Sequence, residues 1–275
     1  MMLKILRKDI VSKSSKKKLI VSGDSFADYR YTSTHGFTVW PDILGEMLDM
    51  EVINMGNCGS GNEYIYSSLL DCFAKEDNIG LVIAMWSESS RIDFEVPLEE
   101  KNRKLSWGRR GWRVIVSLRK NKEIWEDVVA TFFRKHGYYQ LHARTKKSMR
   151  FMYSFQEIMK NRNLNFLQVA GCGLESPMDS NELSKLILDS PYFDLIDKKY
   201  FVGWPMVDSI GGKCISDYLK QKDPTRTKNI IDGTKVSDDD GDMISPVKDF
   251  HPNKLGHEQI AKVLYDAYQK TYAIS

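Results

Sequence analysis

Two short segments, one near each end of the chain, carry residues suited to nucleophilic chemistry. Gly23, Asp24 and Ser25 follow the apolar run 18–22, and His251 comes shortly before the last helical pattern. A serine at a helix N-terminus has an exposed hydroxyl and a free backbone N–H, and the helix dipole stabilises developing negative charge. Either Asp24 or Ser25 alone could simply cap the helix. Together with a histidine base, the pattern predicts that Ser25 is a nucleophile.

A second glycine-rich segment offers donors for an oxyanion. The apolar residues 51–55 run into a loop of small residues with three glycines, and a helical pattern begins at Asn62. Glycine has no Cβ and tolerates a positive φ, so such a loop can bring backbone N–H groups close to a ligand. We expect an oxyanion hole made of the Ser25 N–H, the Gly59 N–H and the Asn62 side-chain amide. An ordinary strand-to-helix turn is the alternative interpretation.

These blocks, in this order, resemble the SGNH (GDSL) hydrolase superfamily. The resemblance rests on Gly-Asp-Ser at 23–25, on the glycine loop and on His-Pro-Asn at 251–253, and it spans nearly the whole chain. It implies a three-layer α/β/α sandwich around a central, mostly parallel sheet, the flavodoxin-like SGNH fold. It also implies Ser25 as the nucleophile, His251 as the base, Gly59 as an oxyanion donor, and ester hydrolysis without a metal or other cofactor.

The third block departs from the pattern of that superfamily, which usually has Gly-x-Asn-Asp after its third strand. Here the apolar run 81–85 continues into Trp-Ser-Glu without an asparagine. A carboxylate such as Glu88 repels an oxyanion unless it is protonated, so Asn62 is the predicted substitute donor. A tryptophan at a strand end often packs in the core. Four residues near the blocks are nonetheless candidates for shaping the pocket: Asp24, Trp86, Glu88 and Arg91.

The acid of the expected triad also departs from its usual place. Members of the superfamily usually carry it three residues before the histidine, where this chain has Lys248, whereas Asp249 lies two residues before His251. Loop geometry can absorb a shift of one residue. We therefore predict that Asp249 orients the imidazole of His251 and completes a triad with Ser25. The alternative is a serine–histidine dyad whose imidazole is held by a backbone carbonyl.

Strand and helix patterns alternate along the chain, which predicts βαβ units and a parallel sheet in a single α/β domain over 1–275. Strands are expected near 18–22, 51–55, 80–85 and 164–169, and helices near 38–49, 62–75, 148–161 and 254–272. His257 lies on the apolar stripe of the last helix, so we interpret it as a packed rather than a catalytic histidine.

The basic, tryptophan-bearing stretch 95–147 interrupts this alternation and is predicted to be a helical insertion. It is suited to a lid or to a surface that binds anionic ligands, with guanidinium groups for carboxylate or phosphate. A solvated subdomain with its tryptophans packed inward is the other interpretation. The stretch 175–248 reads as irregular.

Composition excludes several classes of protein. The chain has 275 residues, 42% hydrophobic and 28% charged, which is typical of a globular domain, and its net charge of +3 is too small to indicate a nucleic-acid partner. We find no apolar run of membrane length and no signal peptide, and therefore expect a cytoplasmic protein that does not associate with membranes. The four widely spaced cysteines, without a CxxC pair, are expected to be reduced thiols: Cys58, Cys72, Cys172 and Cys214.

No metal site is predicted. Aligning Gly241 of the acidic run 238–242 with the glycine of an EF-hand places valines at the first and twelfth ligand positions, where carboxylates are required. His136 and His142 lack the spacing and the nearby cysteines of a zinc site.

Three functions fit these observations. The first is an esterase that cleaves a short acyl group, such as acetyl, from a small-molecule or glycan ester. The second is an acyltransferase that uses the same residues, and the third is an inactive binding protein that keeps the fold. Nothing in the sequence indicates the oligomeric state.

Overall fold

The computed structural model describes residues 16–30, 36–95, 112–115, 131–133, 135–138, 140–172, 180–222 and 251–272. The strands are β1 (Lys18–Ser22), β2 (Glu51–Asn54), β3 (Ile79–Trp86), β4 (Ile92–Glu95), β5 (Trp112–Ile115), β6 (Phe166–Ala170) and β7 (Phe201–Val202). The helices are α1 (Trp40–Leu48), α2 (Asn62–Phe73), α3 (Leu141–Asn161), α4 (Ser180–Leu188), α5 (Ile215–Lys222) and α6 (Lys254–Tyr272), and a short 3₁₀ helix spans Asp208–Ile210.

A five-stranded sheet forms the centre of the molecule, in the order β2-β1-β3-β6-β7. Every pairing between these strands is parallel. The residues Leu19–Val21 of β1 and Leu81–Trp86 of β3 are fully buried. Such unbroken apolar runs are expected of parallel strands that are covered on both faces, because neither face is left to solvent.

Helices cover both faces of the sheet, so the predicted three-layer α/β/α architecture is confirmed. On one face, side chains of α1, α5 and α6 pack against residues that include Leu19 and Ile83. On the other face, α2, α3 and α4 pack against residues that include Ile20 and Val82. Alternate residues of one strand thus enter two different cores, which is the period-2 geometry of a strand.

The structure contains elements that the sequence did not predict. Helix α3 begins at Leu141, inside the predicted insertion, and not near residue 148. Within the stretch expected to be irregular, the structure has α4, β7 and α5. Strand β7 is only two residues long and precedes a turn, and it is a strand because Phe201 and Val202 pair with β6.

The described part of the predicted insertion 95–147 has mixed structure. Strand β5 pairs antiparallel with β4, and helical residues occur at 131–133 and 135 before α3 begins. The rest of the insertion lies outside the described residues, so its extent and its helical character stay predictions, as does the single domain over 1–275.

The loops that follow four of the strands meet at the carboxyl edge of the sheet. Because β1, β2, β3 and β6 run parallel, the loop residues 23–28, 55–61, 87–91 and 171–172 all begin at that edge. In open parallel sheets this edge is where ligands bind. At Gly56 the loops lie so close that an added Cβ would be 2.6 Å from the carbonyl of Ala27, so only glycine fits.

Candidate active site

The structure brings Ser25 and His251 together. Ser25 Oγ lies 2.6 Å from His251 Nε2, although the two residues are 226 positions apart in the chain. This distance is within the range of a hydrogen bond through which the imidazole can take the hydroxyl proton. The ring of Phe26 lies 5.7 Å from the imidazole, centroid to centroid, and covers one side of it.

The backbone around Ser25 is a turn and not the first turn of a long helix, which corrects the expectation from the sequence. The Ala27 N–H donates to the Asp24 carbonyl at 3.0 Å, and helical residues begin only at Tyr29. His251 is held by the start of α6. There Asn253 caps the helix, because its Oδ1 accepts the Gly256 N–H at 3.1 Å.

Asp24 is fully buried and anchors three loops. Its Oδ1 accepts the Phe26 N–H at 3.0 Å. Its Oδ2 accepts hydrogen bonds from Ser87 Oγ at 2.8 Å, from Arg91 Nη1 at 3.0 Å and from Cys172 Sγ at 3.2 Å. Burial, followed by the charge of Asp24, raises the pKa of the Cys172 thiol, so it stays protonated as the donor. Asp24 therefore holds the loops and does not line a pocket surface.

Arg91 joins the loop of the nucleophile to the glycine loop. Its side chain is only 9% exposed, and Nη1 donates both to Asp24 Oδ2 at 3.0 Å and to the Ser60 carbonyl at 3.1 Å. Glu88 Oε1 lies 3.7 Å from its Nη2. A buried guanidinium that is paired in this way fixes the relative position of the groups it contacts.

The Asn62 side chain makes three hydrogen bonds, none of them to Ser25. Its Oδ1 accepts the Ser87 N–H at 2.8 Å, and its Nδ2 donates to the Ser87 carbonyl at 3.0 Å and to Ser148 Oγ at 2.9 Å. An amide has two N–H donors, and both are used here. The role of Asn62 as an oxyanion donor stays a prediction, and it requires one of these bonds to open.

Gly59 adopts a backbone conformation that favours glycine, and its role as an oxyanion donor stays a prediction. Its φ is +79°, a value in the left-handed region that glycine adopts without strain, and it lies in the turn before α2. The loop is also tied to the nucleophile loop through Asp28, whose Oδ2 accepts the Cys58 N–H at 2.6 Å. Asp28 was not among the predicted site residues, and only its position three residues after Ser25 could have indicated it.

Asp93 caps the glycine loop from a distant strand. Its two oxygens accept the Gly61 N–H at 2.8 Å and the Tyr64 N–H at 3.1 Å, at the start of α2. Burial raises the pKa of this carboxyl to about 6, although the two N–H donors and Arg91 favour its charged form. This contact could not be predicted from sequence, because Asp93 follows Gly61 by 32 positions and belongs to β4.

The other two pocket candidates, Trp86 and Glu88, differ in burial. Trp86 is fully buried in the core, where its Nε1 donates to Gln168 Oε1 at 2.9 Å and its ring meets Phe155 edge to face. As a pocket residue it was predicted wrongly, because the last position of β3 faces the helix layer. Glu88 is partly exposed beside Arg91 and accepts a hydrogen bond from Ser90 Oγ at 3.0 Å.

Some of the predicted site residues lie outside the described residues. Asp249 is among them, and its neighbour Lys248 is outside as well, so the triad stays a prediction. The acidic run 238–242 is also outside. In the described ranges, no three side chains of His, Cys, Asp or Glu are grouped in a way that could hold a metal ion. Of the helices in that part of the chain, none is both long and apolar enough to cross a membrane.

The fold and the site together define a class: an α/β/α protein with a serine and a histidine in contact at the carboxyl edge of a parallel sheet. Within this class the chain resembles the SGNH (GDSL) hydrolase superfamily, although its third block lacks the usual asparagine.

Two solved structures are similar to this chain. One, from Desulfitobacterium hafniense DCB-2, is assigned to a G-D-S-L family of lipolytic proteins; it is 13% identical with a TM-score of 0.41, over 92% of this chain and 99% of that chain. The other, the YxiM protein of Bacillus subtilis, is 12% identical with a TM-score of 0.37, over 95% of this chain and 58% of that chain. No family model matches the chain, and no curated protein matches it.

Proposed function

We propose that the protein is a serine hydrolase of the SGNH type that cleaves a carboxylic ester. The observation that carries this proposal is the 2.6 Å contact between Ser25 Oγ and His251 Nε2. A hydroxyl paired with an imidazole at this distance is activated for attack on a carbonyl carbon. The proposed substrate is a small-molecule or glycan ester with a short acyl group such as acetyl.

In the first half of the reaction, Ser25 Oγ attacks the ester carbonyl while His251 Nε2 takes its proton. The oxyanion is stabilised by the N–H groups of Ser25 and Gly59 and, once one of its hydrogen bonds opens, by the Asn62 amide. The imidazolium then gives its proton to the departing alcohol, which leaves the acyl group on Ser25. Asp249 is the proposed partner of the other ring nitrogen and holds the required tautomer.

In the second half, His251 removes a proton from the molecule that attacks the acyl-enzyme, and returns it to Ser25 Oγ as the bond between the acyl group and Ser25 breaks. If the attacking molecule is water, the protein is an esterase. If it is an acceptor hydroxyl, the same residues make an acyltransferase. Product analysis with a short acyl ester, in the presence and absence of sugar acceptors, separates the two, because only acyl transfer yields a newly acylated sugar.

Covalent labelling tests the nucleophile. We expect a fluorophosphonate probe to modify Ser25, with the site identified by mass spectrometry of the labelled peptide. Ser25→Ala should abolish both labelling and ester turnover, and His251→Ala should remove most of each, because an unassisted hydroxyl is a weak nucleophile at neutral pH.

Ser22→Ala is the matched control, since Ser22 lies on the adjoining strand and its hydroxyl contacts Ser68 at 2.7 Å. This variant should still be labelled. Modification of a different serine, or a folded wild-type protein that neither reacts with the probe nor hydrolyses any short ester, would contradict the proposal and favour an inactive binding protein.

A further inference from the structure

A cleft of about 370 Å³, a volume typical of small-molecule binding sites, is lined by Arg91 and Asn62, which form hydrogen bonds to Asp24 and Ser87 at the carboxyl edge of the sheet. Its walls come from the start of α2, the loop between β3 and β4, residues 136–138 and the first half of α3. The N-terminus of α2 follows β2, and α3 leads back to the start of β6. Both helix N-termini therefore lie at the carboxyl edge of the sheet, the same edge that carries Ser25.

The cleft and the Ser25 site share residues. Arg91 lines the cleft and also donates to Asp24, the residue before the nucleophile, at 3.0 Å. Asn62 lines the cleft too, and its amide is bonded to Ser87 in the loop that contacts Asp24. A ligand in the cleft thus contacts the side chains that position the nucleophile loop.

Charged and polar groups make up one part of the wall. Lys147 and Glu63 both line the cleft and form an ion pair of 2.5 Å, with side chains 51% and 35% exposed. Arg144 donates to the Ser90 carbonyl at its rim. Carboxylates accept and ammonium or guanidinium groups donate hydrogen bonds, so this wall can bind several hydroxyl groups at once.

Aromatic rings make up the other part. Phe151 lies under the Lys147 ammonium, whose nitrogen is 5.6 Å from the ring centroid. Tyr138 is 58% exposed and has its ring 5.2 Å from that of Phe133. An exposed aromatic face beside a cleft offers an apolar surface with a polar edge.

A sugar matches this combination, because its ring has apolar C–H faces and a rim of hydroxyl groups. A long acyl chain does not match, since it would have to displace water from the Lys147–Glu63 pair without forming hydrogen bonds in return. We propose that the cleft binds the alcohol part of the ester and that this part is a sugar or a similar polyhydroxylated molecule. This inference rests on the proposed function of Ser25.

The experiment compares two esters. The leaving group of 4-nitrophenyl acetate is not a sugar, whereas an acetylated hexose places a sugar ring in the cleft. Lys147→Ala and Tyr138→Ala should each lower kcat/KM for the acetylated hexose about tenfold, the size expected for one charged hydrogen bond or one stacked ring. They should change kcat/KM for 4-nitrophenyl acetate less than about twofold.

Lys160→Ala is a closely matched control. Lys160 lies on the same helix, is 3.4 Å from Asp197, and has its nitrogen 5.5 Å from the ring of Tyr200, but it is not part of the cleft. This variant should retain wild-type kinetics with both esters. Equal losses on the two esters, or wild-type kinetics of both cleft variants with the hexose ester, would overturn the inference.

A binding measurement separates this inference from the proposed function. Ser25→Ala protein is titrated calorimetrically with glucose, N-acetylglucosamine and glucuronic acid, so that no turnover is needed. At least one sugar should bind to Ser25→Ala protein. If that binding is lost in Ser25→Ala/Lys147→Ala and kept in Ser25→Ala/Lys160→Ala, the cleft assignment is supported even if the wild type hydrolyses neither ester. Failure of all three sugars to bind overturns the cleft assignment even if 4-nitrophenyl acetate is hydrolysed through Ser25.

Discussion

At the scale of single residues, the carboxylate of Asp24, just before the proposed nucleophile, holds neighbouring loops together. Asp24 Oδ2 is contacted by Ser87, Arg91 and Cys172, which come from the loops after β3 and β6. Arg91 extends the same network to the Ser60 carbonyl. Because the proposed oxyanion donors lie on the Ser25 and Gly59 loops, this network sets the distance between them before substrate binds, and such preorganisation is a large part of electrostatic catalysis.

The first prediction at this scale concerns Arg91. An ammonium is a single point charge and does not reproduce the guanidinium geometry, so Arg91→Lys should lower kcat for 4-nitrophenyl acetate roughly tenfold to a hundredfold, with little change in KM. Arg91→Met leaves the Asp24 carboxylate buried without its cation. It should cost about 3 to 5 kcal/mol of unfolding free energy as well as activity.

Steady-state kinetics and urea unfolding of the two variants measure these effects separately. Arg150→Lys is the control. Arg150 is an exposed arginine whose Nε donates to the Tyr192 hydroxyl at 3.3 Å. An Arg91→Met enzyme with wild-type kcat would show that the bridge to Ser60 has no part in positioning.

At the scale of elements, α2 is capped by a residue from another strand. No side chain of its own N-terminal residues caps it, and the carboxylate of Asp93 on β4 accepts the Gly61 and Tyr64 N–H groups instead. An acid at this position also interacts favourably with the helix dipole. Burial nevertheless makes ionisation costly, which is why the pKa of Asp93 rises to about 6.

This raised pKa predicts a pH dependence of stability. Between about pH 4 and pH 6 the native Asp93 keeps its proton while the unfolded chain has lost it, so the contribution of Asp93 to unfolding free energy falls as pH rises through this window. Asp93→Asn does not titrate. The stability of the wild type relative to Asp93→Asn should therefore decrease by roughly 2 kcal/mol from pH 4 to pH 7. Urea unfolding across this range measures it, and a flat or rising difference would contradict the assignment.

How far the sequence predicts the structure differs from element to element. Strands β1 and β3 were located from their apolar runs, and α6 from its stripe, because burial on a sheet leaves a periodic signal in the chain itself. The first turns of α3 were missed because their residues are mostly basic and polar. Strand β7 was missed because two residues carry no period, and only pairing with β6 makes them a strand.

The candidate site likewise contains some contacts that the sequence predicts and others that it does not. The contact between Ser25 and His251 was expected, because a serine after the first strand and a histidine before the last helix can meet at the carboxyl edge of the sheet. The contacts of Asp93 and Arg91 were not, because nothing near them in sequence indicates which backbone groups they meet. Asn62 was singled out as an amide donor, but the sequence could not indicate that Ser87 and Ser148 use both of its N–H groups.

At the scale of the whole molecule, α6 closes the structure against α1. His257 on α6 is 1% exposed, and its Nδ1 accepts the Trp40 N–H at 3.2 Å, as the interpretation of a packed histidine requires. Burial, and to a lesser extent the charge of His251, lowers the pKa of His257 to about 3. The native protein therefore holds this imidazole neutral.

Acidification should destabilise the native protein through the buried imidazole of His257. The unfolded chain binds a proton at His257 below about pH 6.5, while the native state does not until about pH 3, so stability falls as pH decreases through this window. Between pH 6.5 and pH 3, the unfolding free energy of the wild type should fall by about 4 kcal/mol because of His257, and His257→Gln should not show this fall. Unfolding measured against pH tests this, with the exposed His142→Gln as control; identical slopes for wild type and His257→Gln would refute it.

Ser25 and His251, the proposed catalytic pair, are far apart in the chain, and this separation affects folding kinetics. Ser25 and His251 are 226 positions apart, so their contact closes one of the longest loops that the chain can make. Closing a loop of this length costs conformational entropy before the contact contributes any stabilisation. Contacts of this kind therefore form late in folding. During refolding we therefore expect the helix and sheet signals to recover first. Ester turnover through the proposed Ser25–His251 pair should return last, when α6 packs beside α1 and brings His251 to Ser25.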